Sequence, residues 1–486
     1  MRTVQRDMSM MQVISDICQA DAFEAVWPTA DIVLMNPPFR SWEGMNQQER
    51  EWVRQSTNEL GRGRPDLSVG FIERGIQSLS PSGALATLVP AGVLASDSLS
   101  KWRNGLLQRV TPTLVAVLGE HGLFQHALVN VGMLALQNSP AMRKQLNVAW
   151  SSSESGAASL AIRAIRRSLF GSNEVDPLIK GSEWSVSVTN VETWKKRPSW
   201  LPGPGTLGSL LETIQGRIET KVEDVFLVRQ GIRTGANDAF VQPVGVVEKL
   251  PARERRYFRE AVDAASFVNG EIESQKYLFI PEHTWKTEAE VKEAVPEFFE
   301  QHLRHKKESL AERKSLKREP RRRHRWWELT WERAWTFDGR PRLLSKRFGL
   351  YPAFARDFEG RFAVVQANAW MPTRALSDRN DDAVRDGLTA YWWLLNSRIA
   401  VALFREYCPN VAGGQLDLEH KYVRHVPLPN LLRQFHENPA IQVLASSIRT
   451  RNPDRLPNLS ERDQFAAAAF GTDVSEWNLS GLELPD

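Results

Sequence analysis

The stretch Ile32-Val33-Leu34-Met35-Asn36-Pro37-Pro38-Phe39 decides the fold prediction, because a buried type of β-strand runs directly into a rigid bend. A short apolar run that ends at a turn signal is typical of a strand inside a parallel sheet. Two successive prolines fix φ and remove two N–H donors, so the carbonyl groups after Met35 are held in fixed directions. We therefore expect residues 36–39 to face a cleft at the carboxyl end of a strand.

The same four residues have the chemistry to bind an amino group that is conjugated to a ring. The exocyclic amine of adenine is a poor nucleophile, since its lone pair is delocalised, and it needs hydrogen-bond acceptors. We expect the Asn36 side-chain oxygen and the Pro37 carbonyl to accept one amine hydrogen each, while Pro38 keeps the bend rigid. Phe39 offers a ring face for a base that has swung out of its duplex. The alternative is a strand that ends in a proline turn without a catalytic role.

Composition limits the class of protein. The 486 residues suffice for two or three domains, at about 150 residues each. Cys18 and Cys408 lie far apart in sequence, which argues against a disulfide framework or a thiolate metal site and favours a reducing cytoplasm. The sequence contains no convincing acidic cluster for a metal, and no apolar stretch long enough for a membrane span or a secretory leader. We therefore expect a cytoplasmic protein without a metal centre.

Positive charge is concentrated in one segment, although the total net charge is only +4. Residues 304–347 contain sixteen Lys and Arg against six acids, a local net charge of +10. The densest run is Arg321-Arg322-Arg323-His324-Arg325, which is typical either of a face that binds a polyanion or of a solvated helix. Trp327, Trp331 and Trp335 recur every four residues, so they share one helical face if this stretch is helical, and packing into a core is then the expected use.

Alternating strand and helix patterns predict an α/β sheet in the first part of the chain. Strands are expected at Val13–Cys18, Ile32–Met35, Ala84–Pro90, Leu114–Leu118 and Val129–Leu136, and a helix at Asp66–Leu79. A Pro-Gly-Pro-Gly stretch at 202–205 indicates a linker. We therefore divide the chain into a partial sheet domain at 1–145, a connecting region at 146–206, an α+β domain at 207–432 and a helical tail at 433–486.

With these motifs in order, the first domain resembles the methyltransferases that use S-adenosylmethionine, and most closely the N(6)-adenine DNA methyltransferases of the TaqI type. Asp21-Ala22-Phe23, followed by Asn-Pro-Pro-Phe, is similar to that family's cofactor-adenine motif and catalytic motif. The resemblance implies that Asp21 accepts a hydrogen bond from the cofactor's adenine amine and that Ala22 offers its N–H. The alternative for Asp21 is a helix N-cap or a loop acid. The resemblance also implies Phe124 as a second aromatic against the flipped base, with a core position as the alternative.

The second domain contains two separated strings that resemble the beginning and the end of that family's target-recognition domain. The first is Gln230 to Phe240; the second comprises Tyr391 to Asn396, Gly413-Gly414 and Val426-Pro427-Leu428-Pro429. Gly231 and Gly235 predict a close backbone approach to a phosphate, or else a tight turn between strands. We expect contacts with double-stranded DNA from Arg233, Thr234, Asn237, Arg321, Arg322, Arg323, Lys421 and Arg424. For Lys421 and Arg424 the alternative is ordinary surface charge.

One part of the family pattern is missing from this sequence. Methyltransferases of this order carry a glycine-rich loop upstream, whereas residues 1–35 contain no glycine. Three explanations stay open: a separate subunit supplies the first half of the sheet, the gene product is shortened, or the chain is a degenerate relative that binds DNA without catalysis. The separate subunit fits the near-complete second half, and it predicts an obligate protein partner or poor solubility of the chain alone.

The resemblance as a whole implies an adenine-specific DNA methyltransferase that serves restriction-modification or phage defence. In that mechanism the target adenine leaves the stack, Phe39 and Phe124 enclose it, and Asn36 and Pro37 bind its amine. The methyl group then passes in line from the sulfur of S-adenosylmethionine to nitrogen, without a metal or a covalent enzyme intermediate. Two alternatives stay open. One is a non-catalytic DNA-recognition subunit; the other is a methyltransferase that acts on guanine amines in ribosomal RNA or on glutamine amides.

Overall fold

The chain folds into two compact units, and each contains one of the motifs described above. The computed structural model describes residues 19–58, 64–119, 130–139, 145–170, 178–180, 183–195, 197, 199–205, 207, 209–313, 325–373, 381–411, 415–451, 455–479, 482 and 484. Unit 1 comprises Met1–Val117, Val131–Val148 and Val188–Trp200. Unit 2 comprises Leu118–Asn130, Ala149–Ser187 and Leu201–Asp486. Within the described part, no helix is both long and apolar enough to cross a membrane.

The strands alternate with helices in the first part of the chain and are shorter in the second. In chain order they are β1 (Ala30–Met35), β2 (Leu79–Pro90), β3 (Thr111–Leu118), β4 (Val131–Gln137), β5 (Gln145–Ser151), β6 (Leu178–Lys180), β7 (Trp184–Asn190), β8 (Phe226–Gln230), β9 (Val241–Pro243), β10 (Phe258–Val262), β11 (Phe267–Val268), β12 (Glu271–Ile272), β13 (Lys276–Phe279), β14 (Arg342–Lys346), β15 (Phe348–Gly349), β16 (Phe354–Asp357), β17 (Ala363–Val364), β18 (Ala367–Pro372), β19 (Asn410–Val411) and β20 (Gln415–Asp417).

The helices are mostly short. In chain order they are α1 (Gln47–Ser56), α2 (Leu67–Gln77), α3 (Ala91–Ala95), α4 (Ser100–Leu106), α5 (Ala157–Phe170), α6 (Val191–Lys195), α7 (Ser209–Arg217), α8 (Val222–Val225), α9 (Asn237–Phe240), α10 (Val244–Val247), α11 (Ala252–Arg255), α12 (Glu288–Ala294), α13 (Pro296–Phe298), α14 (Lys307–Ala311), α15 (Asp381–Leu395), α16 (Arg398–Tyr407), α17 (His420–Val423), α18 (Leu431–Glu437), α19 (Pro439–Arg451) and α20 (Leu459–Ala469).

Strand β1 lies at one end of the sheet that contains the first motif. The described strands of this sheet follow the order β1-β2-β4-β3-β5-β7-β6. Strand β1 pairs with β2 in parallel, with Met35 opposite Thr87, and β2 pairs with β4 in antiparallel orientation. The parallel pair needs a crossover connection, and α1 and α2 lie within it. The free edge of β1 is therefore a boundary of the sheet as described.

Helix α2 covers only one face of β1. Asp66 begins the helix, because its carboxylate accepts a hydrogen bond from the Ser68 N–H at 2.9 Å. A Cβ added to Gly75 would lie 2.6 Å from Leu85 Cδ1 and 3.0 Å from Met35 Cε, so glycine permits close packing of the helix on the sheet. The opposite face of β1 is open: Ile32 is 68% exposed and Leu34 is 75% exposed.

Unit 2 combines small sheets with a helical core. One sheet has the order β16-β14-β18-β8 and another has the order β17-β10-β13-β9. Helices α15, α16, α19 and α20 contribute to a hydrophobic cluster that includes the fully buried side chains of Trp370, Trp392 and Trp393. The described part of residues 433–486 contains the end of α18 together with α19 and α20, and its buried Phe465 and Phe470 belong to the same cluster.

The α/β fold class predicted from the sequence is confirmed. The expected strands at Ile32–Met35, Ala84–Pro90, Leu114–Leu118 and Val129–Leu136 correspond to β1 to β4, and the expected helix corresponds to α2 with its cap at Asp66. The strand expected at Val13–Cys18 lies outside the described residues. The stretch 146–206, expected to be a connection, contains most of β5 together with β6, β7, α5 and α6.

The predicted tryptophan face is wrong. The segment around Trp327, Trp331 and Trp335 is not one helix: it consists of turns, a single β-bridge at Trp331 and a short 3₁₀ helix at Ala334–Phe337. Trp327 is buried, whereas Trp331 is 38% exposed. Turns and the β-bridge between Trp331 and Arg233 determine the path of this segment. Residues four apart share a face only on a helix, so these tryptophans do not form one.

Candidate active site and nucleic-acid interface

The Asn-Pro-Pro-Phe segment leaves the end of β1 with two acceptors that no described residue uses. Asn36 is exposed, Pro37 is buried, Pro38 is exposed and Phe39 is half-buried. Among the described residues, none forms a hydrogen bond with the Asn36 carboxamide or with the Pro37 carbonyl. Polar groups at the end of a strand normally find a partner in the protein or in water. Both acceptors are therefore available to a ligand.

Asn36 borders a cavity of about 360 Å³ on the open face of unit 1. The lining is mostly apolar and comes from β1, β2, β3 and β4: Leu34, Met35, Asn36, Ala86, Thr87, Leu88, Leu114, Met133, Leu134 and Ala135. Only Asn36 and Thr87 contribute polar side chains to this lining. The Thr87 hydroxyl donates to the Leu88 carbonyl at 3.0 Å, so the carboxamide of Asn36 is the polar side chain with free capacity. An apolar hollow with one such group can hold a flat ring and orient its polar edge.

Arg40, which follows the motif, connects it to helices α1 and α2. The Arg40 guanidinium forms an ion pair with Glu49 of α1, and the Arg40 carbonyl accepts the Leu67 N–H of α2 at 3.0 Å. Burial raises the pKa of the Asp66 carboxyl above its usual value. Arg54 lies 4.8 Å from the ring centre of the buried Trp42, which adds a cation–π contact beneath the segment. These contacts hold the bend in place from its carboxyl side.

Asp21 forms a local turn in this structure. Its carboxylate accepts the Phe23 N–H at 2.8 Å, and its carbonyl accepts the N–H groups of Glu24 and Ala25. Asp21 is exposed, Ala22 is half-buried, and neither lines the cavity beside Asn36. The geometry is that of a loop acid, the alternative considered from the sequence. The cofactor roles of Asp21 and Ala22 stay predictions.

The turn at 230–237 borders a second cavity, of about 440 Å³, within unit 2. Its glycines allow close packing within the protein, and the expected approach to a phosphate stays a prediction. A Cβ on Gly231 would lie 2.3 Å from the Val364 carbonyl oxygen, and Gly235 has φ +79° with Thr330 Oγ1 2.3 Å from an added Cβ. The tight turn, the other possibility raised by the sequence, is the role that the structure shows.

The side chains of Thr234 and Asn237 stabilise the same turn. The buried Thr234 hydroxyl donates to Asn237 Oδ1 at 2.5 Å and accepts the Ala236 N–H at 3.1 Å. Arg313 donates to the Thr234 carbonyl at 2.7 Å, and burial lowers the pKa of Arg313 to about 10. Arg233, by contrast, is exposed at the rim of the cavity. Of the three residues in this turn that are predicted to contact DNA, Arg233 is the exposed one. All three contacts stay predictions.

The second sequence motif of the predicted recognition domain contributes buried hydrogen bonds that stabilise the core of unit 2. The buried Tyr391 hydroxyl donates to the Pro429 carbonyl at 2.9 Å and accepts the Leu431 N–H at 3.1 Å. Asn396 accepts the Phe354 N–H at 3.0 Å and donates to the Phe354 carbonyl at 3.0 Å. These bonds join α15 to β16 and to the segment before α18. Gly413 and Gly414 lie outside the described residues.

The remaining predicted DNA contacts are either paired within the protein or outside its described part. Lys421 forms an ion pair with Glu419 at 3.0 Å. Arg424 donates to His425 at 3.1 Å and lies 4.0 Å from Glu223. Their contacts with DNA stay predictions. The residues that lie outside the described part are Phe124, Arg321, Arg322 and Arg323.

Most described cations of the basic segment 304–347 are likewise neutralised inside the protein. Ion pairs join Arg304 to Glu300, Lys306 to Asp238, Lys307 to Glu288, Arg325 to Glu328, Arg340 to Asp338, Arg342 to Asp357, and Arg347 to Asp417 and Glu419. Arg333 has no carboxylate partner among the described residues, and the same holds for Arg313 and Lys346. Arg313 donates instead to backbone carbonyls, whereas the buried Nε of Arg333 has no partner there. Charge counting along the sequence does not separate Arg333 from the other cations, because it treats paired and unpaired cations alike.

Comparison with protein families places the first motif in a known class. Residues 14–124 match the Eco57I restriction-modification methylase family. The match includes Asp21, Ala22 and the Asn-Pro-Pro-Phe segment, so this part of the chain is similar in sequence to restriction-modification methylases. No curated protein matches the chain.

Comparison with solved structures shows the fold. The type IIL restriction-modification enzyme MmeI, solved in complex with DNA, aligns with a TM-score of 0.51 at 12% identity, covering 94% of this chain and 55% of that chain. The type IIG restriction endonuclease BpuSI aligns at 0.34 and 14% identity, with 93% and 53% covered. A type I methyltransferase subunit from Streptococcus thermophilus aligns at 0.27 and 18% identity, with 37% and 40% covered. The chain thus spans about half the length of MmeI and has a similar fold over that half.

Proposed function

We propose that this chain contains the catalytic motif and the recognition domain of an adenine-specific DNA methyltransferase of the TaqI type. One observation carries the proposal: the Asn36 carboxamide and the Pro37 carbonyl are both without a hydrogen-bond partner among the described residues, and Asn36 borders an open cavity at the end of β1. The match of residues 14–124 to restriction-modification methylases supports it. Restriction-modification or phage defence in the cytoplasm is the biological setting that we propose.

The two acceptors suit the amine of adenine. Each takes one N–H of the amine, which draws the nitrogen toward tetrahedral geometry and stabilises the positive charge that develops on it. Pro37 and Pro38 hold these groups in place before the base arrives, because their φ angles are fixed. Phe39 is half-buried, so one part of its ring can contact a flipped base. S-adenosylmethionine supplies the methyl group when it is bound.

The described residues fit only one end of that cofactor. Asp21 and Ala22 would hold its adenine, since the Asp21 carboxylate is exposed and accepts one internal hydrogen bond, from Phe23. In the described part of unit 1, β1 is followed by prolines and not by a glycine-rich turn that could hold the methionine part. The uncovered face of β1 is where we propose that further structure packs. Ile32 and Leu34 are exposed there beside the free edge of the sheet.

We propose that a polypeptide containing parallel β-α units and a glycine-rich turn covers this surface. Its first contact would be a strand added in parallel to the free edge of β1, with an apolar helix over Ile32 and Leu34. An edge strand with large exposed apolar side chains is otherwise an aggregation site. The partner would thereby complete both the sheet and the cofactor pocket.

The substitution Leu34→Asp tests this partner surface. Leu34 is 75% exposed, so the charge costs the free chain little stability, but it would be buried by an apolar partner. The chain is co-expressed with the protein that the coding sequence immediately upstream encodes. We expect Leu34→Asp to abolish co-purification of the two proteins and to improve the solubility of the chain alone. Pull-down and analytical centrifugation measure both effects.

Val443→Asp is the matched control for that experiment. Val443 is 71% exposed on α19 in unit 2, so it receives the same charge at a similar exposure, away from β1. We expect this variant to behave as the wild type in both measurements. Equal behaviour of Leu34→Asp and Val443→Asp would contradict the partner surface.

Calorimetry of cofactor binding separates the proposal from a non-catalytic DNA-recognition subunit. We expect S-adenosylmethionine to bind the chain co-purified with its upstream partner, and Asp21→Ala to weaken that binding at least about tenfold. A recognition subunit would bind DNA and give no heat with the cofactor under the same conditions. Methyl transfer to ribosomal RNA or protein, but not to DNA, would instead favour the alternative substrates.

A further inference from the structure

Three arginines meet at the edge of a sheet in unit 2 without an acidic partner. Arg229 lies on the edge strand β8, and Arg233 follows in the turn that leaves this strand. Arg233 forms a β-bridge with Trp331, which brings the segment containing Arg333 alongside the turn. Within the described part of the chain, no carboxylate pairs with any of the three guanidinium groups.

Arg333 has an unfavourable backbone conformation for a residue other than glycine. Its φ is +63°, in the left-handed region that costs a non-glycine residue about 1 kcal/mol or more. Its guanidinium carbon lies 5.5 Å from the ring centre of Trp331, and its Nε is buried without a hydrogen-bond partner. A strained backbone, a buried donor without a partner among the described residues and two nearby cations together favour a binding site.

The electrostatics of the three arginines are unfavourable in the absence of a ligand. Burial lowers the pKa of Arg333 below its usual value, and the positive charges of Arg233 and Arg229 lower it further. Nearby acids are committed elsewhere, since Glu332 pairs with His283 and Asp238 pairs with Lys306. An anion that lies among the three groups would relieve this repulsion.

We propose that Arg229, Arg233 and Arg333 together bind the phosphate backbone of double-stranded DNA, with Arg333 at the centre. The inference rests on the proposed function, which makes DNA the substrate. Guanidinium groups present parallel N–H donors that match two phosphate oxygens. Three guanidinium groups carry more positive charge than one protein carboxylate would neutralise. Arg233 shares one N–H with Gln230 at 2.8 Å, which fixes its direction and leaves its other donors for the ligand.

The contact would position DNA without reading its sequence. Arginine contacts with phosphates fix the register of a protein on the duplex, whereas base edges carry the sequence information. The partly exposed Trp331 provides the flat apolar surface against which Arg333 is held. Loss of one of these arginines should therefore weaken binding to all DNA sequences by a similar factor.

The salt dependence of DNA binding tests the proposal on the full chain. We expect Arg333→Gln to weaken binding to a random-sequence duplex about tenfold at low salt and to reduce the slope of log K against log[salt] by about 1. Arg333→Lys keeps the charge and should keep the slope, although it loses the paired donors. Fluorescence anisotropy measures both quantities. An unchanged slope for Arg333→Gln would overturn the proposal.

Arg433→Gln is the matched control, because it removes an exposed, ion-paired arginine of the same unit. Arg433 pairs with Glu437 at 2.7 Å on α18. We expect its slope to equal that of the wild type. If both glutamine variants reduce the slope equally, net charge and not the three-arginine site is responsible, and the proposal fails. It also fails if Arg333→Gln weakens binding of single-stranded RNA and leaves binding of duplex DNA unchanged.

The outcome is separate from that of the proposed function. Asn36→Ala should leave the salt slope unchanged, because Asn36 lies in unit 1 and is not among the three arginines. A slope that depends on Arg333, in a protein that never methylates DNA, supports the three-arginine site and rejects the enzyme. Methylation that persists with an unchanged slope in Arg333→Gln supports the enzyme and rejects the site.

Discussion

Asn36→Ala is expected to reduce methyl transfer to DNA by about 10²–10³-fold or more, while binding of DNA stays close to that of the wild type. The carboxamide is one of two acceptors for the amine, and its contribution grows as positive charge develops on nitrogen. Alanine removes the acceptor and leaves the Pro37 carbonyl alone. The rate is measured with tritiated S-adenosylmethionine on the chain co-expressed with its upstream coding sequence.

A stability measurement accompanies that experiment. Asn36 is exposed and forms no hydrogen bond with the described residues, so its substitution should leave the midpoint of denaturation unchanged. Asn36→Asp is the second variant, because it keeps the size and replaces the amide by a charge. A variant that is folded, binds DNA and retains full transfer would contradict the role of Asn36.

Arg342→Met is expected to destabilise unit 2 by about 3–5 kcal/mol, because it leaves the buried carboxylate of Asp357 without its partner. Arg342 Nε donates to Asp357 at 2.8 Å across β14 and β16, and both side chains are at most 1% exposed. The guanidinium also donates to the carbonyls of Thr336 and Phe362 at 3.1 and 2.9 Å. Urea denaturation followed by tryptophan fluorescence measures the loss.

The pH dependence of that loss has a defined sign. Burial raises the pKa of Asp357 above its usual value, against the opposing effect of Arg342. A carboxyl whose pKa is raised by folding favours the folded state more as the pH falls. The deficit of Arg342→Met should therefore shrink as the pH is lowered from neutral toward that raised pKa. A deficit that grows on acidification would contradict an ion pair.

Two further variants isolate the pair. The double variant Arg342→Met/Asp357→Leu should recover most of the lost stability, because no charge then remains buried. Arg433→Met removes half of an exposed pair with Glu437 and should change stability by less than about 1 kcal/mol. Equal losses from Arg342→Met and Arg433→Met would show that burial of the pair has no energetic effect.

The local part of the fold and the first motif could be predicted from the sequence. The apolar run before Asn36 contains enough information for a strand, and two prolines necessarily end it. The exposure of Ile32 and Leu34 could not be derived from that pattern, because an apolar run indicates burial on both faces.

The roles of individual side chains in the second domain could not be predicted, because they depend on distant partners. Gly231 is required by the Val364 carbonyl, a contact across more than a hundred residues of sequence. The charge of residues 304–347 indicated a polyanion-binding face, but ion pairs neutralise most of its described cations. Arg333 differs from them through its backbone conformation and its proximity to Arg233 and Arg229, which composition does not show.

The identity of the methylated nucleoside tests whether Asn36 and Pro37 bind an adenine amine. DNA treated with tritiated S-adenosylmethionine and the chain, co-expressed with its upstream coding sequence, is digested and its nucleosides are separated by chromatography. If the Asn36 carboxamide and the Pro37 carbonyl bind an adenine amine, the label appears in N(6)-methyldeoxyadenosine and disappears with Asn36→Ala. Label in a cytosine nucleoside, or label in N(6)-methyldeoxyadenosine that Asn36→Ala does not reduce, would contradict the account.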